Sequence, residues 1–176
     1  MAQPGSVSSP RASPSGRPDA ESDRESKNKR GRLYVTYRKL NKKTKLYYSG
    51  RTSMIVDPGL PLELQAQLAI QFRDMSHHID ENEDPKDISF AKALLDVFDI
   101  GNAVDYNLRY DDPAYWRIRG REQQLIDFHG SAQSDTGTPY RTENIVRAVA
   151  KDNPRGRRFH DAATARWGEI HHYTGY

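Results

Sequence analysis

Glu122 is the residue whose position most needs a chemical reason. In the run Ile118-Arg119-Gly120-Arg121-Glu122-Gln123-Gln124-Leu125-Ile126 it falls four residues after Ile118 and three before Leu125, in the middle of an apolar helical face. A carboxylate there is costly unless it is paired, hydrogen-bonded or bound to a cation. Arg119 and Arg121 are the partners nearest in sequence. Upstream lie Tyr34, Tyr37 and Tyr48, then Arg51, then Arg73 and His77, which are four apart and so neighbours on a helix surface. These are the groups that phosphodiester hydrolysis uses. A carboxylate can hold Mg²⁺ together with waters and phosphate oxygens. A planar guanidinium clamps phosphate, and a tyrosine or histidine can donate or accept the moving proton. By residue type alone the set is permissive.

The elements that must position these residues can be read from periodicity. Arg32 to Tyr37 and Leu46 to Thr52 are short aromatic and β-branched runs joined by the polar turn Asn41-Lys42-Lys43-Thr44, the pattern of a β-hairpin. Tyr34 and Tyr37 are three apart, so an ideal strand points them to opposite faces. Leu64, Leu68, Phe72, Met75 and Ile79 recur at helical spacing and predict one buried stripe, with Arg73 and His77 away from it. A second amphipathic helix is expected over Ile88 to Phe98, then a short strand through Val104, Tyr106 and Leu108. Asp112 before Pro113 starts a further helix, and Gly130 ends it. Thr142 is expected to cap a helix over Glu143 to Lys151 with Ile145, Val146 and Val149 inward. A last helix covers Arg158 to Trp167 and ends at Gly168.

The expected fold class is therefore α+β: a small antiparallel sheet, led by the N-terminal hairpin, packed with several helices. Residues 1–30 are Ser, Pro, Arg, Gly and Asp with almost no large apolar side chain, the composition of a disordered tail. The folded domain is placed at 31–170, with 171–176 a frayed end. The 176 residues carry a net charge of +3, unevenly spread. Ten basic residues against one acid lie between Arg24 and Lys45, acids prevail from Asp80 to Asp112, and Lys151 to Arg166 is basic again. Such a distribution suits a polyanion touching one face. No run is long and apolar enough for a bilayer, and no secretory signal opens the chain, so membrane contact is not expected. With no Cys, disulfides and thiolate metal sites are excluded.

Two tyrosines on a hairpin, Tyr48-Ser49-Gly50 on its second strand, Arg73 with His77 on a following helix, and a helical Glu122 in this order resemble the GIY-YIG nuclease superfamily. Tyr48-Ser49-Gly50 stands at the second motif, and either Tyr34 or Tyr37 at the first, which lacks its glycine here. The segments Tyr48 to Ser53, Arg73 to His78 and Ile118 to Asp127 are also similar to nuclease domains at the tips of bacterial Rhs-type polymorphic toxins. The resemblance spans about Leu33 to Asn153. It implies a Mg²⁺- (or Mn²⁺-) dependent endonuclease, acting on DNA ahead of RNA. Glu122 would be the metal ligand, Tyr34 or Tyr37, Tyr48, Arg73 and His77 the other catalytic groups, and Arg51 a rival phosphate clamp. Asn144 matches the late asparagine. Lys42, Lys43, Lys45, Arg119 and Arg121 would bind substrate. A toxin of this kind would meet a cognate immunity protein, and would act in the cytoplasm or be delivered without a signal peptide.

Two other classes compete. One is a non-catalytic nucleic-acid module stacking bases on Tyr34, Tyr47 and Tyr48 beside Lys42, Lys43 and Lys45. The other is a protein-binding scaffold using the acidic stretch Asp80 to Asp112. No Gly-rich phosphate loop or serine-nucleophile motif is present.

Overall fold

A computed structural model describes residues 31–77 and 90–176; the side chains of Ser76 and His77 lie outside the described part. The expected disordered tail at 1–30 and acidic break at Asp80 to Asp84 also lie outside it. The class is α+β. Three antiparallel strands, β1 (Arg32–Leu40), β2 (Tyr47–Ile55) and β3 (Leu94–Gly101), pair in the order β2-β1-β3. Helix α1 (Leu62–His77) covers one face, and α2 (Pro113–His129) covers the other. The short α3 (Gln133–Thr136) follows, and α4 (Gly156–Trp167) packs on α2.

The hairpin forms as expected. Asn41 shapes its turn, its side-chain oxygen accepting from the Lys43 and Thr44 N–H groups at 2.9 and 3.3 Å. Strand alternation then divides β1 between two cores. Leu33, Val35 and Tyr37 face α1, whereas Tyr34 packs with Ala114, Tyr115 and Ile118 of α2. The two tyrosines do point to opposite faces.

Helix α1 is where expected, but its buried side is not. Ala66, Ala69 and Ile70 meet the sheet, while Leu64, Phe72 and Met75 of the expected stripe are exposed. Leu33, Val35 and Tyr37 already fill that face of the sheet, so a helix close above them presents small residues. Gln65, buried among these, links α1 to the chain end of β2 by accepting from the Asp57 N–H and donating to the Asp57 and Leu60 carbonyls.

The helix expected over Ile88 to Phe98 is instead β3 from Leu94 onward; residues 78–89 lie outside the described part. The second edge of β1 takes a strand partner, which overrides a short helical period. The register slips between Thr36 and Tyr37, so that Asp96 bulges onto the α2 face. There the Arg121 guanidinium donates two bonds to it, at 2.9 and 3.1 Å, and the Thr36 hydroxyl a third at 3.0 Å. The strand expected at Val104 to Leu108 is a 3-10 turn, Tyr106–Asp111.

Helix α2 begins and ends as read. The Asp112 carboxylate caps the Ala114 N–H at 2.9 Å, Pro113 follows, and Gly130 (φ 129°) closes it. The helix expected at Glu143 to Lys151 does not form. Its backbone groups are spent elsewhere: Glu143 N–H donates to the Tyr47 carbonyl at 2.9 Å, and the Asn144 and Ile145 carbonyls accept from Gln133 and Ser134. Ile145 and Val146 therefore point outward, 70% and 65% exposed, and only Val149 is buried. The last helix runs as expected to Gly168 (φ 82°). The C-terminal end, expected to fray, is tied down. Thr174 donates to Asp127 at 2.7 Å and accepts from Arg147 at 2.6 Å, and the Tyr176 N–H donates to the Lys151 carbonyl at 2.9 Å.

Gly120 is the point where α2 meets α4 most closely. A Cβ added there would lie 1.9 Å from the Phe159 carbonyl oxygen, a backbone atom that cannot step aside alone. Gly120→Ala is therefore expected to lower stability by about 2–3 kcal/mol through overpacking. At this chain length that is a fall in Tm of roughly 5–10 °C, read by thermal unfolding.

Candidate active site

β2 is an edge strand, and its outer side is covered only in part. Asn144 grips Ser49 with both halves of its amide: its oxygen accepts from the Ser49 N–H at 2.9 Å, and its nitrogen donates to the Ser49 carbonyl at 2.8 Å. The side chain stands in for a neighbouring strand, and with the Glu143 bond to Tyr47 it closes the edge up to Ser49. From Gly50 onward the edge borders a cleft of about 320 Å³. Tyr48, Arg51, Arg73 and Glu122 all line it.

Each arrives by a different route. Tyr48 and Arg51 lie on opposite faces of β2, so the cleft wraps around the strand edge. Arg73 continues the inward row Ala66, Ala69, Ile70 of α1, one further turn along the helix. The stripe that faces the sheet is what delivers the guanidinium. Glu122 reaches in from α2, buried at 7% exposure, and its carboxylate accepts from the Arg51 guanidinium. Its partner is thus Arg51 rather than Arg119 or Arg121. Tyr37 pairs in register with Gly50, and its ring lies across that glycine: a Cβ on Gly50 would stand 2.7 Å from the Tyr37 hydroxyl and 2.9 Å from the Tyr48 ring. Here the motif glycine has a steric reason, the close approach of two tyrosine rings at 6.3 Å between centroids.

The electrostatics follow from burial and the ion pair. The Glu122 charge, more than any other cause, raises the pKa of the Arg51 guanidinium, which stays charged. Burial pushes the Tyr37 phenol up, with Tyr48 adding to the rise and Arg73 opposing it. Tyr48 is also raised, by burial and then by Glu122. Both are therefore hydrogen-bond donors near neutral pH. Tyr34, raised to about 12 by burial and then by Asp112, lies on the α2 side of the cleft against Tyr115.

The other expected site residues are distributed differently. Arg121 is committed to Asp96, and Arg119 donates to the Ala148 carbonyl and packs near Tyr110, Tyr115 and Phe159 rather than lining the cleft. Neither lines the cleft. Asn144 acts on β2 through the Ser49 backbone. Lys42, Lys43 and Lys45 are exposed at the hairpin tip, outside the cleft. The His77 side chain lies outside the described residues. Thr52, Ser53, Tyr106 and Tyr115 line the cleft without having been singled out. Of these, Thr52 and Ser53 lie within the resemblance segment, whereas Tyr115 reads as core and Tyr106 as strand. The platforms weighed for base stacking are occupied: Tyr34 is buried, Tyr47 stacks on His129 at 4.3 Å, and Tyr48 packs against the α1 core.

No cluster of three or more His, Cys, Asp or Glu occurs among the described residues. A cation at Glu122 would have one protein carboxylate, with waters and phosphate oxygens completing its shell. Mg²⁺ accepts that donor set, whereas structural Zn²⁺ does not. Arg51 already holds the carboxylate, so a cation must share or displace the guanidinium. Comparison of the chain with models of protein families, with curated proteins and with solved structures returned no match.

Two expectations follow. Asn144→Ala removes both bonds to Ser49 and leaves a buried N–H and C=O unmet, so unfolding free energy should fall by about 2 kcal/mol in urea titration. The second concerns pH. Tyr34 rises from 10.0 to about 12, and Tyr37 and Tyr48 rise too. Folding therefore favours the neutral phenols. The stability Tyr34 contributes is fully present below pH 10 and is lost as pH climbs through about 12, and Tyr37 and Tyr48 act in the same direction. Tyrosinate absorbance should show exposed tyrosines ionising first and these three ionising late, together with loss of structure.

Proposed function

We propose that this cleft hydrolyses phosphodiester bonds of nucleic acid with Mg²⁺ or Mn²⁺, as an endonuclease of GIY-YIG type. The reading rests on one observation: Tyr48, Arg73, Arg51 and Glu122 come from β2, α1 and α2 to border a single cleft. The three elements are separate in sequence, and core packing alone does not require these side chains to meet. Arg73 and Arg51 would hold the non-bridging oxygens of the scissile phosphate through charge-assisted bonds. Tyr48, kept protonated by burial, would donate to the phosphate or orient the attacking water, with the buried Tyr37 ring packed against it rather than in the cleft. Glu122 would hold the metal, which when bound supplies charge neutralisation and an activated water. A phosphate between Arg51 and Glu122 would draw the guanidinium from the carboxylate, freeing it for the cation.

DNA ahead of RNA, a toxin role and a cognate immunity protein follow from the GIY-YIG and Rhs-type resemblance and are part of the same proposal. No helix among the described residues is long and apolar enough to cross a membrane.

The experiment incubates the purified protein with plasmid DNA, single-stranded DNA and RNA, with and without Mg²⁺, beside Glu122→Gln. Cleavage is expected only with the metal. The variant should lose about 10²–10³-fold in rate, the magnitude of one preorganised electrostatic contact, while its thermal unfolding stays cooperative. Intact substrates under every condition would remove the nuclease reading.

A further inference from the structure

The cleft has a neighbour. A second cavity of about 310 Å³ adjoins it, and Tyr48, Arg51 and Glu122 line both. The Arg51–Glu122 pair thus stands between two lobes of nearly equal size. We propose that the lobes take the two nucleosides flanking the scissile phosphate of a single strand, so that the protein acts on unpaired rather than duplex nucleic acid. This rests on the phosphodiesterase reading and names its substrate class.

The walls carry the argument. The first lobe presents Tyr106, 44% exposed, on a wall shared with Tyr34 and Tyr115. Two cations lie over the Tyr106 ring, the Arg109 guanidinium 4.0 Å and the Arg32 guanidinium 5.2 Å from its centroid. Arg32 also donates to the Ser53 hydroxyl on the same wall at 3.2 Å. The exposed part of this ring, with the guanidinium groups lying over it, offers an aromatic and cationic surface on which a base stacks while its backbone follows the positive charge. The second lobe is built differently, from Ile126, Ile145, Val146 and Ala148. Ile145 and Val146 are held outward by the same loop hydrogen bonds that replace the expected helix. Two β-branched side chains fixed in solvent beside a phosphate site are surface that the face of a base would cover. Glu143 also lines this lobe, where its carboxylate would disfavour phosphate and leave the backbone at the Arg51–Glu122 pair. It accepts a hydrogen bond from Thr44, next to Lys42, Lys43 and Lys45 at the exposed hairpin tip. Cationic side chains therefore lie near the second lobe as well. A duplex keeps its bases stacked and paired, and can fill such lobes only by extruding them at a cost of a few kcal/mol.

The test uses one labelled sequence as single-stranded DNA, duplex DNA and single-stranded RNA. Binding is read by fluorescence anisotropy in chelator, and cleavage separately with Mg²⁺. Single strands should bind at least about 10-fold tighter than duplex, since extruding paired bases costs a few kcal/mol. Tyr106→Ala should weaken single-strand binding by about 5- to 150-fold, the equivalent of one lost stack. Ile145→Ser with Val146→Ser should weaken it independently, from the other lobe. All these side chains are well exposed, so melting should be unchanged. Equal affinity for duplex, or wild-type binding by both lobe variants, overturns the inference even if cleavage is found. Single-strand preference that depends on both lobes, without cleavage of any substrate, keeps the lobe assignment and removes the hydrolytic reading. Absence of binding overturns both.

Discussion

The bond between Glu122 and Arg51 is the constraint around which the site is arranged. A carboxylate placed midway along the buried side of α2 must be compensated, and a partner from its own helix would have left it a structural pair. Instead the compensation comes from the outer strand of the sheet. That choice binds α2 to β2 and leaves the pair at a strand edge, where a ligand can reach it. Arg121, the neighbour in sequence, is taken by Asp96 on β3. The β-bulge that turns Asp96 toward α2 therefore helps to leave Glu122 for Arg51.

Around this pair the edge of β2 does two jobs. Up to Ser49 it is sealed by Asn144 and Glu143, which satisfy backbone groups as a fourth strand would. Past Ser49 the cover ends and the cleft begins. Gly50 lets the rings of Tyr37 and Tyr48 close over the strand on one face, while Arg51 projects from the other. A strand edge is the one place in a sheet where residues from both faces can border the same space. It is here that Arg73 from α1 and Glu122 from α2, on opposite sides of the sheet, line one cleft.

Legibility in the sequence tracked how local the cause of each feature is. The hairpin, the Asp112-Pro113 start of α2 and the glycine ends at Gly130 and Gly168 depend on neighbouring residues, and all were readable. The helix expected at Ile88 to Phe98 failed because Leu94 to Gly101 answers to β1, distant in sequence. The helix expected at Glu143 to Lys151 failed because Asn144 bonds Ser49 instead of its own turn. In α1 the period was right and the face wrong. Large apolar residues suggest burial, but the sheet below is already filled by Leu33, Val35 and Tyr37, so Ala66 and Ala69 face it.

The sequence by itself determined the class of the fold, the two-faced split of Tyr34 and Tyr37, and the presence of a carboxylate that could not go uncompensated. Alternation, helical period and desolvation cost are all functions of nearby residues, and need no long-range contact to apply. Only the tertiary structure decided that Arg51 is the partner, that Arg73 and Tyr48 share its cleft, that Arg119 and Arg121 do not, and that Ile145 and Val146 face outward beside it. Those outcomes depend on which strand becomes an edge and which side chain covers it, and contacts across the whole chain settle them.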